Sequence, residues 1–402
     1  MNTLLKHKEQ TIFADRMNHI SGSFIREILK VTTQPEVISF AGGLPSPFSF
    51  PTEEIREAAI CVLTEDCRNV LQYTVTEGYL PLREYIAKRY TEKGMPVMAD
   101  EILITNGSQQ GLDLCGKIFL NENDKVLLEG PSYLGAIQAF SAYQPEFLTV
   151  KLQEDGVDTT ELAELLWEHD IKLFYGIPNF QNPTGISYSD NKRKEVAELL
   201  KQRNTIFIED DPYGEIRFSG EPLSPVKKYL PDQTILLGSF SKIIAPGLRM
   251  GWMVARKEII EKLTIVKQAA DLHSNFLSQR IIHRLLMDYD MDAHIKKIST
   301  LYKKQKDCMI EMIRTYFPEE INYTNPEGGM FIWLTLPEYM DAYELLEEAV
   351  LLKIAFVPGQ TFFVNKEGEN TIRLNFSNSQ EAETEEGIKR LGKLFYKRMC
   401  NP

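Results

Sequence analysis

Between about residues 100 and 260 the chain alternates short, continuously apolar runs with longer amphipathic stretches, and few folds accommodate that pattern. The runs EILITNG, KVLLEG, FLTVKL, KLFYGIP, TIFIEDD, TILLGSF and RMGWMVA have the length and bounding turn residues of strands, while TTELAELLWEHD and RKEVAELLKQRN carry helical spacing. A strand that is apolar on both faces must be covered on both faces, so the segment predicts a mostly parallel sheet layered between helices. A helical region follows, roughly 257 to 316. After it comes a second, shorter alternation in which MFIWLTL, KIAFVPG and TIRLNFS read as strands and YELLEEAVLL and EGIKRLGKLFYKRM as helices. At 402 residues and 43% hydrophobic, the chain exceeds what one core usually supports. The expected fold class is therefore α/β, with a large lobe built on a mostly parallel sheet covered by helices and a smaller α/β C-terminal lobe. The first forty-odd residues, with SFIREILK and AGGLPSP, have no evident partner.

A formal net charge of -12 gives no global attraction to nucleic acid or to an anionic membrane surface, which leaves a small-molecule substrate as the expectation. The start, MNTLLKHKEQ, has no apolar signal core, and no later run approaches the length of a membrane span, so a cytosolic protein is expected. Cys61, Cys67, Cys115, Cys308 and Cys400 form no CxxC spacing and are odd in number, which predicts buried free thiols rather than a disulfide framework. The six histidines form no HExxH and no Cys/His cluster, and no metal site is expected.

In open α/β sheets ligands gather beyond the carboxyl ends of the strands, and the strand-to-loop junctions here are rich in chemistry. GSFSKIIAPGLRMGW ends a strand with Ser239, Ser241 and Lys242 and brings Arg249 seven residues after the lysine. A lysine entering a small-residue loop can be desolvated, lowering its pKa and making it a Schiff-base former, while two hydroxyls and an arginine suit a phosphate. A solvated surface lysine is the ordinary alternative. NGSQQG follows the strand EILIT and opens a helix near Ser108, so the backbone at Gly107, Ser108 and Gln109 is a candidate anion site, with simple N-capping as the alternative.

TIFIEDDPYG ends in Glu209, Asp210 and Asp211, with Tyr213 beyond the proline. Strand alternation turns Asp210 away from the other two. An acid at the end of an apolar strand needs a cationic partner; a protonated pyridine nitrogen would serve and would make its ring an electron sink. Metal binding and solvated acids compete with that reading. FQNPTG offers the Asn182 amide for a phenolic oxygen, or is just a turn. GPSY presents Tyr133, whose ring would stack on a flat cofactor unless it is core. TIRLNFS carries Arg373 in an apolar strand, where its fork suits a substrate carboxylate or an internal acid.

Taken together, AGGLP, QYT, NGSQQG, GPSY, FQNPTG, EDDPYG, SFSK, RMGW, GGMFIW and TIRLNF resemble, in this order and at these separations, the pyridoxal phosphate (PLP)-dependent aminotransferases of fold type I, class I/II. SFIREILK, FAGGLP, PSYLGAIQAF and KQAADLH are most similar to the 2-aminoadipate, kynurenine and broad-specificity aromatic members. The resemblance implies an N-terminal arm (1–45) packing with the small domain and active site, a large PLP-binding domain (46–295) and a small C-terminal domain (296–402). It implies that Lys242 carries the cofactor and shuttles the substrate proton, and that Asp210 pairs with the pyridinium. Tyr213 and Asn182 would contact the phenolic oxygen and Tyr133 the ring. Ser108, Gln109, Ser239, Ser241 and Arg249 would hold the phosphate together with Tyr73 from the other subunit of a homodimer with shared active sites. Arg373 and Asn182 would fix the substrate carboxylate beside Gly43. The implied activity is ping-pong transamination between an amino acid and a 2-oxo acid such as 2-oxoglutarate.

Arg26, in SFIREILK, is a further substrate candidate, because in the resembling 2-aminoadipate enzymes this helix lies over the pocket; an ion pair with Glu27 is the ordinary alternative. Two rival functions are a C–S β-lyase or other PLP enzyme, which would share nearly all cofactor contacts, and a non-catalytic aminotransferase-like ligand sensor. Against the sensor, no helix-turn-helix segment precedes the resembling region and the charge is acidic.

Overall fold

A computed structural model describes residues 12–14, 16–17, 36–365 and 367–400. The strands are β1 (Ile38–Ser39), β2 (Ile102–Thr105), β3 (Lys125–Gly130), β4 (Glu146–Gln153), β5 (Gly156–Val157), β6 (Ile171–Gly176), β7 (Ile206–Asp210), β8 (Thr234–Ser239), β9 (Gly251–Val254), β10 (Asn322–Tyr323), β11 (Phe331–Thr335), β12 (Ile354–Ala355), β13 (Val357–Pro358) and β14 (Thr371–Asn375). Eight of them form one sheet in the order β2-β9-β8-β7-β6-β3-β4-β5. From β8 through β4 every pairing is parallel.

Alternation explains why these strands read as unbroken apolar runs. On β6, Leu173 and Tyr175 face one hydrophobic cluster while Phe174 faces another, and on β7 Ile208 and Phe207 divide in the same way. The second cluster is closed by Leu162 and Leu166 of the helix Thr159–Glu168 and by Val196 and Leu200 of the helix Asp190–Lys201. The helix Ser108–Phe119 covers the other face with Leu112 and Cys115. Along β3, β6, β7 and β8 both faces are covered except near the strand ends, as a parallel sheet requires, while β4, nearer the edge, is only partly covered.

A four-stranded antiparallel sheet, β10-β11-β14-β13, forms the smaller layer, and it shares a hydrophobic cluster with the helices Met291–Tyr316 and Glu381–Cys400, which pack on one another. The early segment joins it: β1 pairs in parallel with β12, the Phe40 N–H donates to the Ala355 carbonyl at 2.8 Å, and the Asn375 N–H donates to the Phe40 carbonyl at 2.8 Å. The hydrophobic core does not divide with the layers, because one continuous cluster runs from β2 and β8 through Phe40 and Phe331 to β14.

The five cysteines are free, but the expectation that they are buried holds for Cys115 and not for the set: Cys67 and Cys400 are exposed, and Cys61 and Cys308 are partly so. Cys67 starts a one-turn surface helix and Cys400 ends the last helix, where no apolar partner among the described residues covers them.

Direction in the large sheet determines where chemistry gathers. β7 and β8 deliver Asp210 and Ser239 at their carboxyl ends, and β9 runs antiparallel to both β8 and β2, with Gly251 opposite Ser239 and Thr105. Arg249, just before β9, therefore arrives at the same edge as the turn that follows β2.

Candidate functional site

A cavity of about 460 Å³, of the size that small-molecule sites usually have, opens at this edge. Gly43, Gly107, Ser108, Gln109, Tyr133, Asn182, Asp210, Tyr213, Ser239, Ser241, Lys242, Arg249 and Arg373 all line it. Residues up to 330 positions apart in sequence thus converge because their strands end at one place.

Lys242 follows β8 and is partly buried, and its Nζ donates to the Gly43 carbonyl at 2.9 Å. Burial, reinforced by the positive charges of Arg373 and Arg249, pulls its pKa down to about 8. No carboxylate pairs with it among the described residues. A neutral amine, the nucleophilic form, is thereby accessible near neutral pH.

Asp210 ends β7 and is 2% exposed. Its Oδ2 accepts from the Tyr175 hydroxyl at 2.9 Å, and its Oδ1 is buried with no partner among the described residues. Burial raises its pKa to about 7, with Asp211 and Glu129 adding to the rise and Tyr175 opposing it. An orphaned carboxylate oxygen facing a cavity is a costly arrangement unless a cation or donor completes it. The other two acids turn the other way and are satisfied by protein. Glu209 accepts the Val226 and Lys227 N–H groups, each at 2.9 Å, and Asp211 Oδ1 accepts from Asn179 Nδ2 and the Gly214 N–H, each at 2.9 Å.

Arg373 is 2% exposed on β14, and burial lowers its pKa to about 10. Its guanidinium donates to Asn182 Oδ1 at 2.8 Å and to the Ala41 carbonyl at 2.6 Å, and lies over the Phe331 and Phe362 rings at 4.4 and 5.0 Å. Among the described residues no acid neutralises it, so the internal salt bridge is not formed; its Nε is buried without a partner. Tyr213 is 5% exposed beside Asn182 and meets the edge of Phe331 at 6.0 Å; burial holds its hydroxyl well above the ordinary range. Tyr133 heads the helix Leu134–Ser141, its hydroxyl 3.3 Å from Gln109 Oε1.

The far end of the cavity suits an anion. The helix Ser108–Phe119 begins after Gly107 with no side-chain cap, so the capping alternative does not hold and its first N–H groups lack that partner. Gly107 has φ +77, and an added Cβ would lie 2.9 Å from Arg249 Nη2. Ser239 Oγ accepts the Ser241 N–H at 3.1 Å.

Tyr73 is not in this cavity; it is 77% exposed, with its ring edge-on to His273 at 5.7 Å. Arg26 lies outside the described residues. The structure adds Tyr175, Gln138, Ile177 and Pro212, which the sequence reading did not single out. Tyr175 carried no signal in the sequence: it sits one strand over, opposite Ile208, on the face that Asp210 shares, and only the register between β6 and β7 brings the two together.

Residues 35–391 match the family model described as aminotransferase class I and II. Over 394 residues the chain is 42% identical to an aromatic-amino-acid aminotransferase of Thermococcus litoralis, with 96% of this chain and 94% of that one covered. A kynurenine aminotransferase of Pyrococcus horikoshii, solved with PMP, superposes with a TM-score of 0.92 at 40% identity, over 96% of this chain and 98% of that one. An α-aminoadipate aminotransferase of Thermus thermophilus, solved with N-(5'-phosphopyridoxyl)-L-leucine, gives 0.90 at 40% identity over the same shares, 96% and 98%.

Proposed function

The chain belongs to the class I and II aminotransferases, enzymes that use pyridoxal phosphate, and from that premise we propose that it moves amino groups from aromatic amino acids and 2-aminoadipate to 2-oxo acids such as 2-oxoglutarate in a ping-pong cycle. The observation that carries the site assignment is the pairing, in one cavity, of a desolvated lysine with an orphaned acid: Lys242 near pKa 8 and Asp210 Oδ1 without a partner.

The residues present fit the cofactor at each of its ends. The free Asp210 oxygen answers a protonated pyridine nitrogen, the uncapped helix start and Arg249 answer a phosphate, and Tyr133 offers a ring face between them. When bound, pyridoxal phosphate supplies the aldehyde that takes up the amino group and a ring that absorbs the electrons left by the departing α-proton.

The chain's own groups do the rest. Lys242, with its amine free, would be the base that takes the proton from the substrate α-carbon and holds it for return later in the exchange. Asp210 keeps a proton at the pyridine nitrogen. Tyr213 and Asn182 hydrogen-bond the phenolic oxygen, and Ser108, Gln109, Ser239, Ser241, Arg249 and Tyr73 of the partner subunit hold the phosphate. Arg373 binds the substrate carboxylate bidentately, held in line by Asn182 and the Ala41 carbonyl and packed on the Phe331 and Phe362 rings. Gly43 lines the pocket, and Arg26 would read an acidic substrate side chain.

A homodimer is supported by exposed apolar side chains on two helices that pack together and their flanks, Ile60, Leu63, Leu71, Leu272 and Met287, from 39% to 65% exposed. An acidic chain whose described residues include no helix long and apolar enough to cross a membrane fits a cytosolic home.

The test is an amino-donor panel with 2-oxoglutarate, reading glutamate formation. Turnover of aromatic amino acids and 2-aminoadipate is expected; release of pyruvate and ammonia from a cysteine conjugate, without glutamate, would instead make the protein a β-lyase.

A further inference from the structure

Outside the cavity, where the helix Lys257–Asp271 packs on the helix Ser108–Phe119, lies a charged cluster that none of the roles above uses. The Lys267 side chain is fully buried, and its Nζ donates to both carboxylate oxygens of Asp271 at 2.8 Å and to Gln110 Oε1 at 3.0 Å. Asp271 Oδ2 also accepts from Asn106 Nδ2 and from Gln110 Nε2, each at 2.7 Å. Gln110 Oε1 in turn accepts the Asn106 backbone N–H at 2.9 Å. Two helices can be packed at least as well by apolar residues of the same volume, so a buried ion pair at such a contact is weak evidence of a stabilising role. What this cluster does is geometric: Asn106 and Gln110 bracket Gly107, Ser108 and Gln109, and both are tied to one carboxylate. Asp271 is also the last residue of its helix: the next residue, Leu272, has φ +64, and the chain continues directly to His273 against Tyr73. A leucine holds that backbone when its surroundings fix it.

We propose that Lys267 and Asp271 are positioning residues for the cofactor phosphate, holding the Asn106–Gln109 turn so that its N–H groups aim at the anion. The inference rests on the reading of Ser108, Gln109 and Arg249 as a phosphate cradle.

Pyridoxal phosphate and pyridoxal share the aldehyde and the ring and differ in the phosphate, so their affinities for the cofactor-free protein separate an effect on the turn from general damage. In the wild type, pyridoxal phosphate should bind much more tightly than pyridoxal. In Lys267→Met and in the isosteric Asp271→Asn, its affinity should fall roughly tenfold or more, the loss expected for a charge-assisted hydrogen bond, while pyridoxal affinity changes by less than about twofold. Thermal melts of the cofactor-free variants report folding, and Asp271→Asn carries the test should Lys267→Met not fold. Equal losses for both ligands, or none for either, would overturn the proposal. A wild type that binds the two equally would overturn the phosphate cradle itself.

Discussion

At the scale of single residues the site is a set of groups kept in unfavourable states for a ligand to relieve. Asp210 has a folded-state pKa of about 7 against an ordinary 3.8, so the cofactor-free folded chain binds more protons than the unfolded chain between those values and loses stability as pH rises through them. Asp210→Asn removes that penalty and preserves an acceptor for Tyr175. In the cofactor-free protein it should raise unfolding free energy by up to a few kcal/mol at pH 8, with the gain shrinking towards pH 5. Denaturant titrations at both pH values check this, and a pH-independent gain or a loss at pH 8 would refute it. In the holoenzyme the same change should weaken function, because the carboxylate is then needed. Its neighbour is a control: Asp211 is satisfied by Asn179 and Gly214 on the opposite side of the strand. Asp210→Ala should lower kcat by about 10²–10⁴-fold, the range for a positioned proton-transfer group, and Asp211→Ala by much less. The reverse order would disprove the assignment. That separation was legible in EDD from alternation alone, whereas the identity of Tyr175 as the second partner of Asp210 was not, because it depends on the register between β6 and β7.

Among the elements, what the sequence revealed was what burial imposes. β3, β6, β7 and β8 are buried on both faces except near their ends and stand out as apolar runs. The direction of β9 did not stand out, since RMGWMVA is apolar read either way, yet that direction brings Arg249 beside Gly107. Two-residue β1 was also illegible; its partner β12 lies more than three hundred positions away and neither strand has room for a pattern. Gly107 shows how an element's end serves the site. Its φ of +77 and ψ of 170 form a backbone that L side chains avoid, and its missing side chain leaves space for Arg249. Gly107→Ala should cost about 1–3 kcal/mol in the cofactor-free protein from backbone strain and should displace Arg249, weakening pyridoxal phosphate more than pyridoxal. A variant with wild-type melting and unchanged affinity for both would show that the turn relaxes freely and that Arg249 is not constrained by it.

On the scale of the whole molecule, one continuous core joins the two sheets, so Arg373 on β14 and Lys242 after β8 are fixed relative to each other by packing within one chain. Tyr73 is different. It is exposed on a surface with apolar neighbours and lies outside the cavity of its own chain, which fits a role at the site of a second copy. If so, Lys242→Ala and a Tyr73 variant disable different halves of one composite site. A chain carrying Lys242→Ala still lends its Tyr73, and a chain carrying Tyr73→Ala still supplies its Lys242, so a heterodimer of the two contains one site with both residues intact and one with neither. Random exchange makes half the dimers mixed, and each mixed dimer has one good site of two. Mixing the two variants in equal amounts after mild dissociation should therefore restore up to about a quarter of wild-type activity per chain, above the residual rate of either variant alone. Size-exclusion chromatography of the mixture, with a tag on one variant, identifies the mixed dimers, and their activity after isolation should approach half that of the wild type. Isolated heterodimers no more active than the average of the two parents would mean that each chain completes its own site and that Tyr73 serves the surface rather than the chemistry.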